Sequence, residues 1–200
     1  QLNMEKQVIW EGKFRAPLVD AEVLPRPKNG SLPIWRAVGG PPASAIRAGL
    51  QGVPMYLATL GGPASSFKVS VEAYRNALTH RGFDPKDFPV AIAGWFYAAE
   101  DSQTAMREVY PYWDAGFKIA NGVGLNKQAF AQGADVRSVQ NVGSPQQIIE
   151  KILYQHENFQ HQRYIAQMDF GGVPHHQIMK NIELLGDVIA PAVKKYTKKQ

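Results

Sequence analysis

Short apolar runs alternate with amphipathic segments along most of this chain, and the alternation predicts its secondary structure. Nearly continuous hydrophobic runs are typical of strands buried on both faces, and they occupy residues 33–38, 54–60, 90–99 and 164–170. Hydrophobic side chains at helical spacing predict helices at residues 43–50, 66–81, 102–113, from 145 onward, and 175–195. Strands and helices therefore alternate four times, with two successive helices between the third and fourth strands.

This order predicts an α/β fold with a parallel sheet and right-handed crossovers. Four such units are half of a (β/α)₈ barrel, and an open doubly wound sheet could also be built from four strands. Residues 1–31 are irregular and rich in proline, so we expect a lead-in at 1–31 followed by a regular (β/α)₄ region at 32–200. Residues 114–143 show no clear period and are expected to form short helical pieces and loops.

Local signals mark several helix ends. Gly52 and Gly82 follow predicted helices, where a residue of left-handed conformation commonly ends the element. Ser144 precedes Pro145 and Gln147, a combination that favours Ser144 as the N-cap of the next helix. Pro191 falls inside the last predicted helix and is expected to kink it.

Composition indicates an ordinary globular protein. The chain has 200 residues, of which 44% are hydrophobic and 20% charged, and it contains no cysteine. It has no apolar run of the roughly 20 residues that cross a bilayer, and its first residues do not resemble a signal peptide. We therefore expect a cytoplasmic protein. Because the chain starts at Gln1 with no sign of a domain opening, we also expect it to be part of a longer polypeptide.

The net charge of +5 carries little functional information, because Lys194, Lys195, Lys198 and Lys199 cluster at the C-terminal end. A basic end after a terminal helix is usually a solvated tail. Basic residues do not alternate with aromatic ones along a predicted groove, so we expect no nucleic-acid partner. No membrane partner is expected either.

A glycine pair after the first predicted strand is the main candidate site. Gly39 and Gly40 would let the backbone approach an anion, and Ser44 would add a hydroxyl near the start of the following helix. The alternative is a tight strand–helix turn in which Ser44 only caps the helix. Gly61-Gly62 and Gly171-Gly172 also follow predicted strands, at the sheet edge where such folds bind ligands.

Other polar residues have structural explanations. His175 and His176 are adjacent and would point in different directions, so no metal site is expected. His156 and His161 flank a predicted helix end and are expected to face solvent. Asp169 is placed in the fourth strand, where holding a lysine or arginine is favoured over catalysis.

Two further groups have structural explanations. Glu100-Asp101 is explained by helix capping. The strand aromatics are favoured as core over a platform for a planar cofactor: Trp35, Trp95, Phe96, Tyr97 and Phe170.

Several motifs together resemble the luciferase-like flavin-dependent monooxygenases. The stretch GGPPASAIRAGLQGVPMYLATLGG is similar to the middle of that family, and YRNALTHRGFDP to the helix and turn that follow. GSPQQIIEKI resembles a late helix start, and QMDFGGVPHHQIMKNIELLGDVIAPAV the last strand and terminal helix. The matches run in order along nearly the whole chain.

The resemblance implies that the chain is the C-terminal half of a TIM (β/α)₈ barrel, about strands 5–8, which binds FMN or, alternatively, a deazaflavin. It implies that Gly39, Gly40 and Ser44 hold the flavin phosphate and that Leu60, Gly61 and Gly62 lie near the flavin. It assigns no catalytic residue, because the residues most often linked to catalysis belong to the first four strands.

Three hypotheses follow from the resemblance. In the first, the chain is part of an FMN-dependent monooxygenase that oxidises a small organic substrate with O₂ and reduced flavin, and is inactive by itself. In the second, it is a non-catalytic flavin-binding partial barrel. In the third, it is an assembly module that pairs with its N-terminal half or with a copy of itself, because half a barrel leaves open strand edges.

Overall fold

The computed structural model describes residues 1–198, so Lys199 and Gln200 of the basic tail lie outside the described residues. The chain divides into a short unit, Gln1–Ile34, and a larger unit, Trp35–Gln200. In the short unit, strands β1 (Val8–Trp10) and β2 (Leu18–Ala21) pair in antiparallel fashion. The Asn3 side chain exchanges two hydrogen bonds, of 2.9 and 2.7 Å, with the backbone of Leu32.

The larger unit is built on a parallel sheet. Its strands are β3 (Arg36–Val38), β4 (Met55–Thr59), β5 (Val90–Ala98), β6 (Asn141–Gly143) and β7 (Arg163–Gln167). β5 is central: its first part pairs with β4 and β7, and its last three residues pair with β6. β3 pairs with β4. The four predicted strands and their parallel arrangement are confirmed.

Helices follow the strands as predicted, with some changes in length. They are α1 (Pro42–Gln51), α2 (Ser65–His80), α3 (Ser102–Asn121), α4 (Lys127–Gln132), α5 (Pro145–Phe159), α6 (His175–Leu184) and α7 (Ala190–Thr197). A 3₁₀ turn covers Pro85–Asp87 and a π-helical turn covers Leu185–Ile189. The Ser144 oxygen accepts a hydrogen bond from the Gln147 amide, which confirms Ser144 as an N-cap.

Two predictions from the sequence need correction, and the last helix shows a further detail. The helix predicted to end at Trp113 continues to Asn121, with Pro111 inside it. Within residues 114–143, the chain also forms the strand β6, which is too short to produce a visible period. The last helix changes to π geometry just before Pro191, which has no N–H to continue the α-helical ladder.

The two faces of the sheet differ in what covers them. The face with Leu57 and Ile92 packs on α1, α2 and α5, and further along β5 on the Ile189 turn. The opposite face is covered at the carboxyl end of β5, where Trp95 contacts the rings of Trp113, Phe117 and Phe170. On that same face Ile165 is 36% exposed and Ala37 is exposed. Helices therefore cover one face fully and the other in part.

Of the five aromatics assigned to strands, Trp95, Phe96 and Tyr97 are buried core residues, as favoured from the sequence. Trp35 and Phe170 are half-buried and lie just outside β3 and β7. Asp169 is misplaced by the prediction: β7 ends at Gln167, and Asp169 is exposed in the loop. The chain leaves the sheet there because Phe170 turns onto Trp95 and Phe117.

His161 also contradicts the prediction, since it is only 6% exposed. Burial and, to a smaller extent, the adjacent His156 lower the pKa of His161 to about 3. The Nδ1 atom of His156 lies 3.1 Å from the His161 carbonyl oxygen, and the two rings meet edge to face. This histidine is therefore an uncharged core residue near neutral pH.

Candidate functional site

The candidate site lies at the carboxyl edge of the sheet, where the parallel strands all end. There the turns after β3 and β4 are neighbours, because Val38 pairs with Leu57 in register. Gly39 and Gly40 connect β3 to α1, and Leu60, Gly61 and Gly62 follow β4. The structure thus brings the two predicted glycine turns to one edge.

The Gly39–Gly40 turn has the features of an anion cradle. Gly40 has a φ of 134°, which side-chain-bearing residues rarely adopt, and no atom lies within 4 Å of where a Cβ would stand on Gly39 or Gly40. The hydroxyl of buried Ser70 donates a 2.8 Å hydrogen bond to the Gly40 carbonyl. This bond fixes the orientation of the Gly40 carbonyl, and the space beside the α-carbons of Gly39 and Gly40 remains open.

The start of α1 has no acidic side chain that would interact favourably with the positive end of the helix dipole. Pro41 is the N-cap, it makes no side-chain capping bond, and the first turn contains no acidic residue. Ser44, half-buried in this first turn, is therefore not the cap that the alternative interpretation required. Pro41 and Pro42 have no N–H and the Ser44 amide bonds to the Pro41 carbonyl, so an anion at this helix start would be stabilised mainly by the helix dipole.

The second turn borders a cavity of about 570 Å³. Leu60, Gly61 and Gly62 form one side, and a segment between Leu125 and Gln140 forms the other. The Val139 amide donates a 3.0 Å hydrogen bond to the Gly62 carbonyl, and the Ala64 amide bonds to Arg137. The segment that was expected to form short helical pieces and loops, and that contains α4, therefore packs directly against the predicted turn.

A buried lysine holds this segment in place. Lys151 of α5 is fully buried, and its Nζ donates to the backbone carbonyls of Gly133, Gln140 (2.9 Å) and Val142. Burial lowers the pKa of Lys151 to about 8, although the nearby Asp135 carboxylate acts in the opposite direction. One turn along α5, the Gln155 amide donates to Asn141 at 3.1 Å.

Sequence reasoning missed this polar network. The sequence did contain a signal for it. Ile148 and Ile152 mark the buried face of the helix, which should be apolar. Lys151 and Gln155 fall on that same face, so they are polar residues at positions where burial is expected. Asn141 completes the network by donating a 2.9 Å bond to the Tyr164 hydroxyl on β7. The unpatterned stretch before α5 is thus ordered by partners that are distant in sequence.

Two of the other candidates, Glu100 and His176, border a smaller cavity of about 350 Å³. Asp101 caps α3 by accepting a 2.9 Å bond from the Thr104 amide, as predicted, and this bond lowers its pKa. His175 and His176 are exposed at the start of α6. No cluster of three potential metal ligands occurs within residues 1–198. In the same range, no helix has both the length and the apolar character needed to span a membrane.

The family of this chain is shown by comparing its sequence with models of known protein families. The sequence model of the luciferase-like monooxygenases matches residues 1–161. This chain belongs to that family. A comparison with curated protein sequences gave no match.

Solved structures share the fold of this luciferase-like chain. The monooxygenase RslO1 from Streptomyces bottropensis is 24% identical, with a TM-score of 0.69, over 95% of this chain and 57% of that one. The oxygenating constituent of 3,6-diketocamphane monooxygenase from Pseudomonas putida, solved with FMN, is 17% identical, with a TM-score of 0.63, over 92% and 57%. The F420-dependent tetrahydromethanopterin reductase from Methanopyrus kandleri is 19% identical, with a TM-score of 0.63, over 96% and 60%.

The chain spans a little over half of the length of each of these structures. Its fold is the parallel α/β arrangement of luciferase-like barrels. Because all three structures are less than 25% identical to this chain, the similarities show a common fold.

Proposed function

We propose that this chain is the C-terminal half of an FMN-dependent luciferase-like monooxygenase and that it binds the flavin phosphate. The observation that carries the proposal is the Gly39–Gly40 turn, open above its backbone and followed by a helix start without an acidic residue. The backbone of Gly39 and Gly40 and the hydroxyl of Ser44 would hold the phosphate. Leu60, Gly61 and Gly62 would lie beside the bound cofactor.

The cofactor would carry the redox chemistry. A reduced flavin supplies the electrons that activate O₂ for the oxidation of a small organic substrate. The residues of this chain would bind and orient the cofactor. The turn and the helix dipole would attract the phosphate, and the Ser70 bond to Gly40 would keep the turn in one conformation. No catalytic residue is proposed within the chain.

A change of Ser44→Ala tests the phosphate site. Removing one hydrogen bond to a charged group should weaken FMN binding by about 1–2 kcal/mol, or roughly fivefold to thirtyfold. Riboflavin, which has no phosphate, should bind both proteins equally. Binding is measured by titration of flavin fluorescence, with exposed Ser31→Ala as the matched control.

The outcomes separate the hypotheses. An unchanged FMN affinity would remove Ser44 from the site, and no FMN binding with the remaining barrel strands supplied would contradict the proposal. Bound FMN without reductant-dependent O₂ uptake in the completed protein would favour the non-catalytic flavin-binding alternative. Tighter binding of F420 than of FMN would favour the deazaflavin, the cofactor named for the reductase of equal TM-score.

The partner of this chain would be the other half of the barrel or a second copy. Supporting this, β3 and β7 each pair with a single strand within the described residues, and residues on the less covered face of the sheet, such as Ala37, are exposed. Native mass spectrometry of the purified protein would distinguish a second polypeptide from a homo-oligomer. A monodisperse monomer at micromolar concentration would contradict both.

A further inference from the structure

The less covered face of the sheet carries a positively charged side chain near the amino ends of its strands. The register places Arg163 of β7 beside Ala91 of β5. The same row continues to Tyr56 of β4 and Ala37 of β3. Alternation along β7 puts Arg163 on the face of Ile165, opposite the face that α1, α2 and α5 cover. Arg163 is exposed there.

This row has the composition of one layer of a barrel interior. In a (β/α)₈ barrel the helices lie outside, and the interior is filled by layers of four side chains that come from alternate strands. In the row described above, Tyr56 and Arg163 are large, whereas β3 and β5 contribute alanines. In the proposed barrel, this chain therefore supplies two of the four members of the layer, and the other half supplies the remaining two.

The guanidinium of Arg163 has an aromatic neighbour but no anionic one. Its Cζ atom lies 5.0 Å from the centroid of the Trp35 ring, which comes just before β3. Strands β4 and β5 lie between β3 and β7, so the two side chains meet across them on the less covered face. Within residues 1–198, no aspartate or glutamate forms an ion pair with Arg163. The contact with Trp35 keeps the positive charge above the sheet, where a completed barrel would enclose it.

Enclosure in a barrel changes what this charge requires. A guanidinium that is removed from water without a partner is strongly destabilising, and a carboxylate in contact with it offsets much of that cost. Arginine suits such a pair, because its planar group can bind a carboxylate through two hydrogen bonds and also stack on an aromatic ring. The row itself contains no carboxylate. A second copy of this chain would bring a second guanidinium to the same layer and no carboxylate.

We propose that the other half of the barrel contributes an aspartate or glutamate to this layer and that its carboxylate pairs with Arg163. The pair rests on the proposed completion of the barrel and adds to it the chemistry of the contact. Arg163 then selects the partner, because a half barrel without that carboxylate leaves the guanidinium enclosed and unpaired.

Three substitutions of Arg163 test the pair in the completed protein, with the remaining barrel strands supplied. Arg163→Met should lower the equilibrium constant for folding about a hundredfold or more, because it leaves the partner carboxylate buried without a cation. Arg163→Glu should lower it at least as much, whereas Arg163→Lys keeps the charge and should lower it less than about tenfold. Urea denaturation provides the measurement. Arg81→Met, at an exposed position just after α2, is the matched control and should change the constant less than about threefold.

Cross-linking identifies the carboxylate. A carbodiimide joins an amine directly to a carboxylate that contacts it, so the Arg163→Lys variant should become linked to an acidic residue of the other half, as read by peptide mapping. The Arg81→Lys variant should form no such link. A link to a second copy of this chain, or no link to the other half, would overturn the proposal.

The stability series gives two further ways to overturn it. Equal losses for Arg163→Met and Arg163→Lys would show that the charge is unimportant, and tolerance of Arg163→Glu would show that no carboxylate faces this position. If the wild-type chain does not assemble with the other half, the proposed assembly and the pair fail together. If the wild type assembles and every Arg163 variant behaves like Arg81→Met, the pair alone is wrong.

Discussion

His161 is the residue at which a pH effect on stability is clearest. Its pKa is lowered to about 3 in the folded protein, against 6.5 for an unperturbed histidine, because the ring is buried. Between these values the unfolded state binds more protons than the folded state. Stability therefore falls as pH drops from 6.5 toward 3, by at most about 1.4 kcal/mol per pH unit from this one group.

Substitution of His161 tests this assignment. His161→Leu should flatten the pH dependence of the unfolding free energy below pH 6.5, measured by urea denaturation at a series of pH values. The exposed His80→Leu variant should keep the wild-type slope. A slope unchanged by His161→Leu would show that the acid sensitivity comes from other groups.

Lys151 carries a second prediction at the residue scale. Lys151→Met keeps the length of the side chain but leaves the carbonyls of Gly133, Gln140 and Val142 without their common donor. We expect a loss of about 3 kcal/mol in unfolding free energy. Lys68→Met, at an exposed salt bridge with Glu72, should change stability by less than about 0.5 kcal/mol. Similar effects of the two substitutions would contradict the role of Lys151.

At the scale of elements, the helix starts are set by short local motifs. Ser144 caps α5 and Asp101 caps α3, each through a bond to the amide three residues later. α1 is different, since Pro41 caps nothing and the helix start is open. α2 and α6 also begin without a side-chain capping bond, so the open start of α1 supports the proposed anion site only together with the Gly39–Gly40 turn.

Removing the α5 cap gives a prediction at this scale. Ser144→Ala leaves the Gln147 amide without its acceptor and should cost about 1 kcal/mol of unfolding free energy. Ser66→Ala, at an exposed position in the first turn of α2, should be neutral or slightly stabilising. Thermal unfolding of both variants provides the measurement, and equal melting temperatures would argue against the cap.

At the scale of the whole molecule, the sheet should show a gradient of protection. All nine residues of β5 are buried and the strand is paired on both sides, whereas β3 and β7 each pair with a single strand within residues 1–198. Hydrogen exchange followed by mass spectrometry should therefore find β5 the slowest-exchanging strand. Faster exchange in β5 than in β3 would contradict this topology.

Hydrogen exchange can also detect a second chain bound at the edges of the sheet. If another chain covers the open edges, amides of β3 and β7 should exchange more slowly in the assembled protein than in the isolated chain. Amides of β5 should change little. Uniform exchange in both samples would mean that no strand is added at either edge.

Much of the architecture follows from local sequence, because strands buried on both faces and amphipathic helices have distinct periods. The runs around Leu57 and Ile92, the Ser144 cap and the Gly39–Gly40 turn are all visible in this way. Family membership, too, follows from the order of motifs. These features depend on neighbours within a few positions, so a single sequence contains them.

Only the tertiary structure decided what lies between α3 and α5 and what surrounds the second glycine turn. Lys151 is bound to carbonyls up to 18 residues away, and Asn141 reaches Tyr164 across the sheet. Asp169 was misplaced for the same reason, because the adjacent Phe170 packs on the distant rings of Trp95 and Phe117. The spacing of hydrophobic residues shows which face of its own helix or strand a side chain occupies. Whether a polar side chain is buried depends instead on partners that the fold brings together from distant parts of the chain.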